Sequence, residues 1–354
     1  MLEAASGTVT VMTKDTVEVQ SRLWRNGELE AVNFPFEKIS GYLEQDGCLV
    51  WVDICDPDSQ QLRDLAEELT LDPMAVEDAV SHAERAKATR YASHTFITAY
   101  SVKIAVPVDG SAAPEPFEVS KSGLSVNRVS AFVLRRGIVT VRRGHDFDMD
   151  AVVTRWEDNA DLLKYGPGAL VHGLLDEIVD SHFEAVQILD DQIEGLEDDL
   201  FDDNAGGKVM QQRTYRVRKD LVELRRVVLP MREVVNAVLR HRKDLDAPEE
   251  LNSWYDDLYD HVLRASEWTE SLRDLVTTVF ETNLSLQDSR LNTVMKKLTA
   301  WAAIIAVPTA VTGYFGQNVP YPGFQQEWGF FLSVAVILAI ATGLYASFKR
   351  KDWL

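Results

Sequence analysis

The residues of this sequence best suited to chemistry are neutral amides and hydroxyls together with scattered carboxylates, not a nucleophile beside a base. Near the C-terminal end stands Gly316-Gln317-Asn318, just past an apolar run that contains Thr309. Upstream of it, Asn292, Met295, Leu298, Ala302, Ala306, Thr309 and Gly313 recur every three or four residues, one stripe of a helix. The stripe is polar at one end, apolar in the middle and weakly polar toward Asn318, and it holds no carboxylate. Threonines of such a run can satisfy themselves on the helix backbone or face a pore. Plain helix-packing contacts would use the same small and apolar residues.

Signals for an enzyme are missing. Gly206-Gly207-Lys208 invites a phosphate-loop reading, but that motif needs glycine at 202, which is Asp, and Ser or Thr at 209, which is Val. The seven histidines are scattered without metal-pair spacing, and His261, after Asp260, reads as a surface or interface residue. Cys48 and Cys55 share one hydrophobic stretch and read as reduced core residues. Asp190 to Asp203 carries eight carboxylates, either a solvated helix tip or a cloud that accumulates cations.

The elements that must position the stripe follow from charge and hydropathy. Between Lys297 and Lys349 the only charged side chain is Glu327. That gap holds two apolar runs, Leu298 to Phe315 and Trp328 to Phe348, each close to the 20 or so residues needed to cross about 30 Å of hydrocarbon. Lys296 and Lys297 precede the first and Lys349, Arg350 and Lys351 follow the second, while the connecting loop has no Lys or Arg. The positive-inside rule then puts the loop outside and both termini in the cytoplasm. The N-terminus has no apolar stretch of the signal-peptide kind. The formal net charge is −20, which argues against a nucleic-acid partner and fits a cationic one.

From Val9 to about Ala160, β-rich runs alternate with helical ones. GCLVWVDI, HTFITAYSVKI, RVSAFVLRRG and IVTVRRG read as strands; SQQLRDLAEELT and residues 72–86 read as helices, the latter opened by Asp72 as N-cap and Pro73 at the first position. Residues 107–123 read as a polar loop. After Pro167-Gly168 the chain turns helical, with interruptions expected at Gly206-Gly207 and Pro230 and a restart at Pro248. Glu249 to Val307 contains neither Gly nor Pro, so one helix of about 90 Å is expected to run into the first span. Such a stalk needs partners, and copies of itself are the natural ones.

These residues resemble a known family. Asn292 through Thr299, Pro308-Thr309 and Gly313-Tyr314-Phe315-Gly316-Gln317-Asn318 are similar to the pore helix of CorA magnesium transporters. So are the basic cluster before Trp353-Leu354, Tyr255 through His261, and Val76-Glu77-Asp78. The resemblance implies a funnel-shaped homopentamer in the inner or plasma membrane, multi-pass, and a divalent cation channel rather than an enzyme. Mg2+ would be both the transported and the regulatory ion. The implied parts are a cytoplasmic α/β domain over 1–165, a helical hairpin over 166–248, a stalk over 249–297, a pore-lining span over 298–315, an external loop over 316–327, a second span over 328–348 and a basic tail over 349–354. Asn318 would form the ring at the outer mouth with Gly316 and Gln317. Met295 and Leu298 would form an apolar gate, with Asn292 below and Thr309 above. Regulatory Mg2+ between neighbouring subunits would fall on Asp78 and Asp257, with Glu77 and Asp180 as further ligands. Gln317 departs from the family's usual Met, and the outer loop is poor in acids. Cobalt, nickel or zinc transport on the same fold, or a non-conducting membrane-anchored sensor, are the competing expectations.

Overall fold

The structure, a computed structural model, describes residues 18–81, 84–104, 123–200, 207–244, 247–317 and 319–354. The chain divides into two compact units, Met1–Thr277 and Thr278–Leu354.

The first unit is built on a seven-stranded sheet, β1 Glu18–Arg25, β2 Glu28–Val32, β3 Cys48–Cys55, β4 Lys87–Arg90, β5 Thr95–Ile104, β6 Leu124–Leu134 and β7 Gly137–Arg142, in the order β2-β1-β3-β7-β6-β5-β4. Only β3 and β7 run parallel, with Cys55 opposite Arg142; every other pair is antiparallel. All eight residues of β3 are buried, because both faces of the sheet are covered. Leu49 and Trp51 pack on one face with Trp156 of α4 (Met149–Asp158) and Leu170 and Leu174 of α5 (Pro167–Leu200). Val50, Val52 and Ile54 alternate onto the other face, with Leu62 and Leu65 of α2 (Ser59–Glu68) and Ala75 and Val76 of α3 (Pro73–Val80); α1 (Ile39–Glu44) joins this layer through Ile39. The period of two thus buries a continuous apolar run in two different cores. Between β3 and β7 lies a satisfied polar network: Trp51 Nε1 donates to Thr140 Oγ1 (3.1 Å), Thr140 Oγ1 to Asp53 Oδ1 (2.6 Å) and Arg142 Nε to Asp53 Oδ2 (2.7 Å).

The helix starts follow their sequence signals. Asp58 and Gln61 form a capping box on α2, and Asp72 Oδ1 accepts from Met74 N (2.9 Å) ahead of α3. Two expectations need correction. The helix read over 72–86 ends at Val80, with Ser81 extended (ψ 140°). Its last carbonyls are taken by two arginines: Arg128 of β6 donates to Ala79 O (2.6 Å) and Ser81 O, and Arg143, just past β7, to Val80 O (3.0 Å). Pro230 does not interrupt its helix; α6 runs Gly207–Asp244 through it. The lost N–H bond is offset by burial of Val227, Val228, Met231 and Val234 around the proline. Residues 107–122 of the expected polar loop lie outside the described residues.

The long helix α7 covers Asn252–Phe315, and its first part closes the first core with Tyr255, Leu258 and Val262. Tyr255 Oη donates to Gly168 O (2.8 Å), and His172 Nε2 meets Trp254 O (3.1 Å) at the start of α5. In the second unit, α7 continues through Pro308, and Thr312 Oγ1 donates to Pro308 O (2.8 Å). A hydroxyl that returns its proton to the helix backbone needs no other partner in an apolar medium. The helix α8 covers Glu327–Arg350. Both α7 and α8 are long and apolar enough to cross a membrane, and their apolar windows are almost wholly exposed in the single chain.

Candidate conduction stripe and metal-binding acids

The stripe begins with helix geometry. At about 100° per residue, the seven positions from Asn292 to Gly313 fall within an arc of about 120°. All seven are exposed, Met295 at 57 % and Leu298 at 62 %. Ala300, Ile304, Val307 and Val311, on roughly the opposite side of the same helix, are buried or half-buried. From Ala300 to Val311 the single chain covers one side of this helix and leaves Ala302, Ala306 and Thr309 on the other uncovered, while residues 291–299 are exposed all round.

At the end of the helix the turn is fixed locally. Gly316 N donates to Thr312 O (2.8 Å) and Gln317 N to Tyr314 O (3.3 Å). A Cβ on Gly316 would lie 3.0 Å from Thr312 O, a tight approach that favours glycine there. Tyr321 folds back so that its hydroxyl donates to Phe315 O (2.7 Å), and its ring meets Tyr314, Phe315 and Phe324. Gly329 sits against Gly323, where a Cβ would come within 2.4 Å of the Gly323 carbonyl. These contacts brace residues 321–329 against the end of α7 from within the second unit. Gln317 is exposed, and Asn318 lies outside the described residues.

The expected acids are distributed over three helices. Glu77 and Asp78 are on α3; Glu77 is exposed, and Asp78 Oδ2 pairs with Lys87 Nζ at 2.7 Å. Burial alone would lower the Lys87 pKa, but hydrogen bonds to Asp78 and Glu84 outweigh it and raise the group. Asp180 is on α5 beside Asp176 and Glu177, and all three carboxylates reach Arg155 of α4, Glu177 at 2.8 Å and Asp180 at 2.6 Å. Burial opposes the Arg155 charge, yet hydrogen bonds to Asp180 and Asp176 hold the guanidinium above its ordinary value. Burial pushes the Glu177 carboxyl up, against the pull of Arg155. Asp257, on α7, is exposed and lies 3.7 Å from His261 Nε2. The ligand atoms of Asp176, Asp180 and His261 lie within 4.8 Å of one another, so one chain offers two carboxylates and an imidazole at one place.

Sequence reading named Asp180 and Asp257 and missed what joins them. His261 is four residues past Asp257, a spacing that puts both on one helical face and could have revealed the pair. Arg155 carried no local signal. Of the acidic stretch, Asp190 accepts from Trp268 Nε1 (3.3 Å) and Asp199 pairs with Arg213; residues 201–203 lie outside the described residues. Cys48 and Cys55 are buried, as expected.

Comparison with known proteins places this architecture. The family model described as "CorA-like Mg2+ transporter protein" matches residues 46–350. A putative metal ion transporter of Bacillus subtilis, YfjQ, is 26 % identical over 91 % of this chain and 94 % of its own. The cobalt/magnesium transport protein CorA of Thermotoga maritima is 33 % identical over 52 % of each chain. Among solved structures, the complete CorA magnesium transporter of Methanocaldococcus jannaschii superposes with a TM-score of 0.71 at 22 % identity, covering 95 % of this chain and 98 % of that one. With an α/β unit, long helices and two apolar helices at its C-terminal end, the chain belongs to the CorA-like family of divalent metal ion transporters, which are membrane proteins.

Proposed function

We propose that this chain is the subunit of a homopentameric channel that carries Mg2+ across the membrane into the cytoplasm. The observation that carries the reading is the stripe from Asn292 to Gly313: it is exposed, lies opposite the covered side of α7 from Ala300 on, has no charged residue and leads to Gly316-Gln317-Asn318. Five such stripes around an axis line a path. Mg2+ is small, octahedral and slow to dehydrate, so a ring of neutral amide oxygens from Asn318 suits its water shell better than a carboxylate trap. Thr309 offers a second ring of hydroxyls. Rings of Met295 and Leu298 close the path by dewetting. Basic residues before the first span and after the second, with none in the connecting loop, support a cytoplasmic position for both termini.

Feedback rests on the acids. Five chains at −20 repel one another, and Mg2+ bridging Asp78 of one subunit to Asp257 of the next would favour the closed state. Asp257 is exposed and available for this, whereas Asp78 and Asp180 must first exchange Lys87 and Arg155 for the ion or share an oxygen with them.

The deciding experiment replaces Asn318 by Ala. Mg2+ uptake is expected to be lost while the purified oligomer keeps its size; unchanged uptake in a strain that depends on it would refute the assignment. A second reading keeps the path and changes the cargo to cobalt, in line with the name of the Thermotoga maritima relative. Parallel uptake of Mg2+ and Co2+ by one reconstituted preparation separates the two.

A further inference from the structure

β3 and β7 run parallel, so their C-terminal ends leave the same edge of the sheet. That brings Cys55, the last residue of β3, and Asp56 after it beside Gly144 and His145, after β7. Cys55 Sγ lies 3.9 Å from Asp56 Oδ2 and 3.8 Å from His145 Nε2, and the three ligand atoms are all within 4.8 Å of one another. A tetrahedral ion with a metal–sulfur bond of about 2.3 Å and metal–nitrogen or metal–oxygen bonds of about 2.0 Å needs sulfur about 3.5 Å from each of the other two atoms. The two distances from sulfur are therefore within a few tenths of an ångström of that geometry.

The surroundings hold this arrangement. Gly144 N donates to both carboxylate oxygens of Asp56 at 3.1 Å, which orients the carboxylate as outer hydrogen bonds do in metal sites. Asp56 takes a left-handed backbone (φ 50°), the turn that brings its side chain back toward the strand end. The charge of neighbouring Arg142 is met by Asp53, so it does not stand as an uncompensated cation beside the site. Cys55 is buried, with its Sγ–H donating to Gly144 O (3.4 Å), while Asp56 and His145 are exposed and face solvent.

We propose that Cys55, Asp56 and His145 form a binding site for a borderline divalent transition metal, Co2+ or Zn2+, on the α/β unit. Thiolate and imidazole select such ions over Mg2+, which takes oxygen ligands in octahedral geometry. On binding, the Sγ–H proton goes to solvent as the sulfur–metal bond forms, and water completes the tetrahedron. The site is independent of the transport reading and is measured by binding alone.

The test uses the full chain, purified in detergent under a reducing phosphine, stripped of metal and titrated with CoCl2. A thiolate-to-cobalt charge-transfer band in the near ultraviolet is expected, with visible absorption of tetrahedral strength, saturating at one ion per chain and surviving a roughly hundredfold excess of Mg2+. Cys48→Ser should keep the band and Cys55→Ser should lose it. Because Cys55 is in the core, His145→Gln at an exposed position supplies a second reading: its Co2+ affinity should fall at least about tenfold. A wild-type protein without the band, a Cys55→Ser protein that retains it, or unchanged affinity in His145→Gln overturns the proposal.

Discussion

Arg155 is the point where charge, folding and ion binding meet in the first unit. Replacing it by Gln removes the guanidinium that serves Asp176, Glu177 and Asp180. Side-chain exposures are 26 % for Arg155, 20 % for Asp176 and 22 % for Glu177, so those two pairs are poorly screened; Asp180, at 48 %, counts for less. Taking about 1 kcal/mol for each inner pair and about half that for Asp180 gives a loss of about 2.5 kcal/mol. For a unit of this size that corresponds to a midpoint lower by roughly 5–10 °C. The same substitution leaves three carboxylates close together, with His261 beside two of them. A divalent ion then takes the role of the arginine, and an ion held at 100 times its Kd would return about 2.7 kcal/mol. Thermal unfolding of Arg155→Gln and wild type, with EDTA and across a Mg2+ series, reads both effects. The variant should be less stable without Mg2+ and should gain more from it. If Mg2+ raises both midpoints equally, these acids are not a latent divalent site and the electrostatic reasoning is wrong.

Other outcomes follow from named contacts. Asp257→Lys puts a fixed cation at the exposed acid of α7 and should make uptake less sensitive to internal Mg2+; inhibition equal to wild type in vesicle flux assays would remove Asp257 from the feedback. Leu298→Asn replaces a dewetting ring by amides and should raise flux at high internal Mg2+ at least roughly twofold. His182 is fully buried, its Nε2–H donates to Tyr100 O (2.7 Å), and burial pushes its pKa down to about 4. The unfolded chain binds this proton below about pH 6.5 and the folded chain only near pH 4, so stability is present above pH 6.5 and lost on acidification. Between pH 7 and pH 5 that loss is about 2 kcal/mol, and denaturant titrations should show a shallower pH dependence for His182→Gln.

Local patterns determined much of this protein. The two apolar helices, the stalk that feeds the first, and the stripe from Asn292 to Gly313 are legible because a helix places residues three and four apart on one side whatever lies around it. Strands β3, β5, β6 and β7 and the cap at Asp72 are legible for the same reason: their signals lie within a few residues. Pro230 misled because a buried run outweighed one lost hydrogen bond, and the helix ends at Val80, where Arg128 and Arg143 from distant parts of the chain take its last carbonyls. What only the tertiary structure decided is which charges meet. Lys87 on Asp78 and Arg155 on three acids set the charge at positions that sequence alone offered as bare ligands. Cys55 and His145, 90 residues apart, come together because two strands run parallel, and no spacing along the chain encodes that.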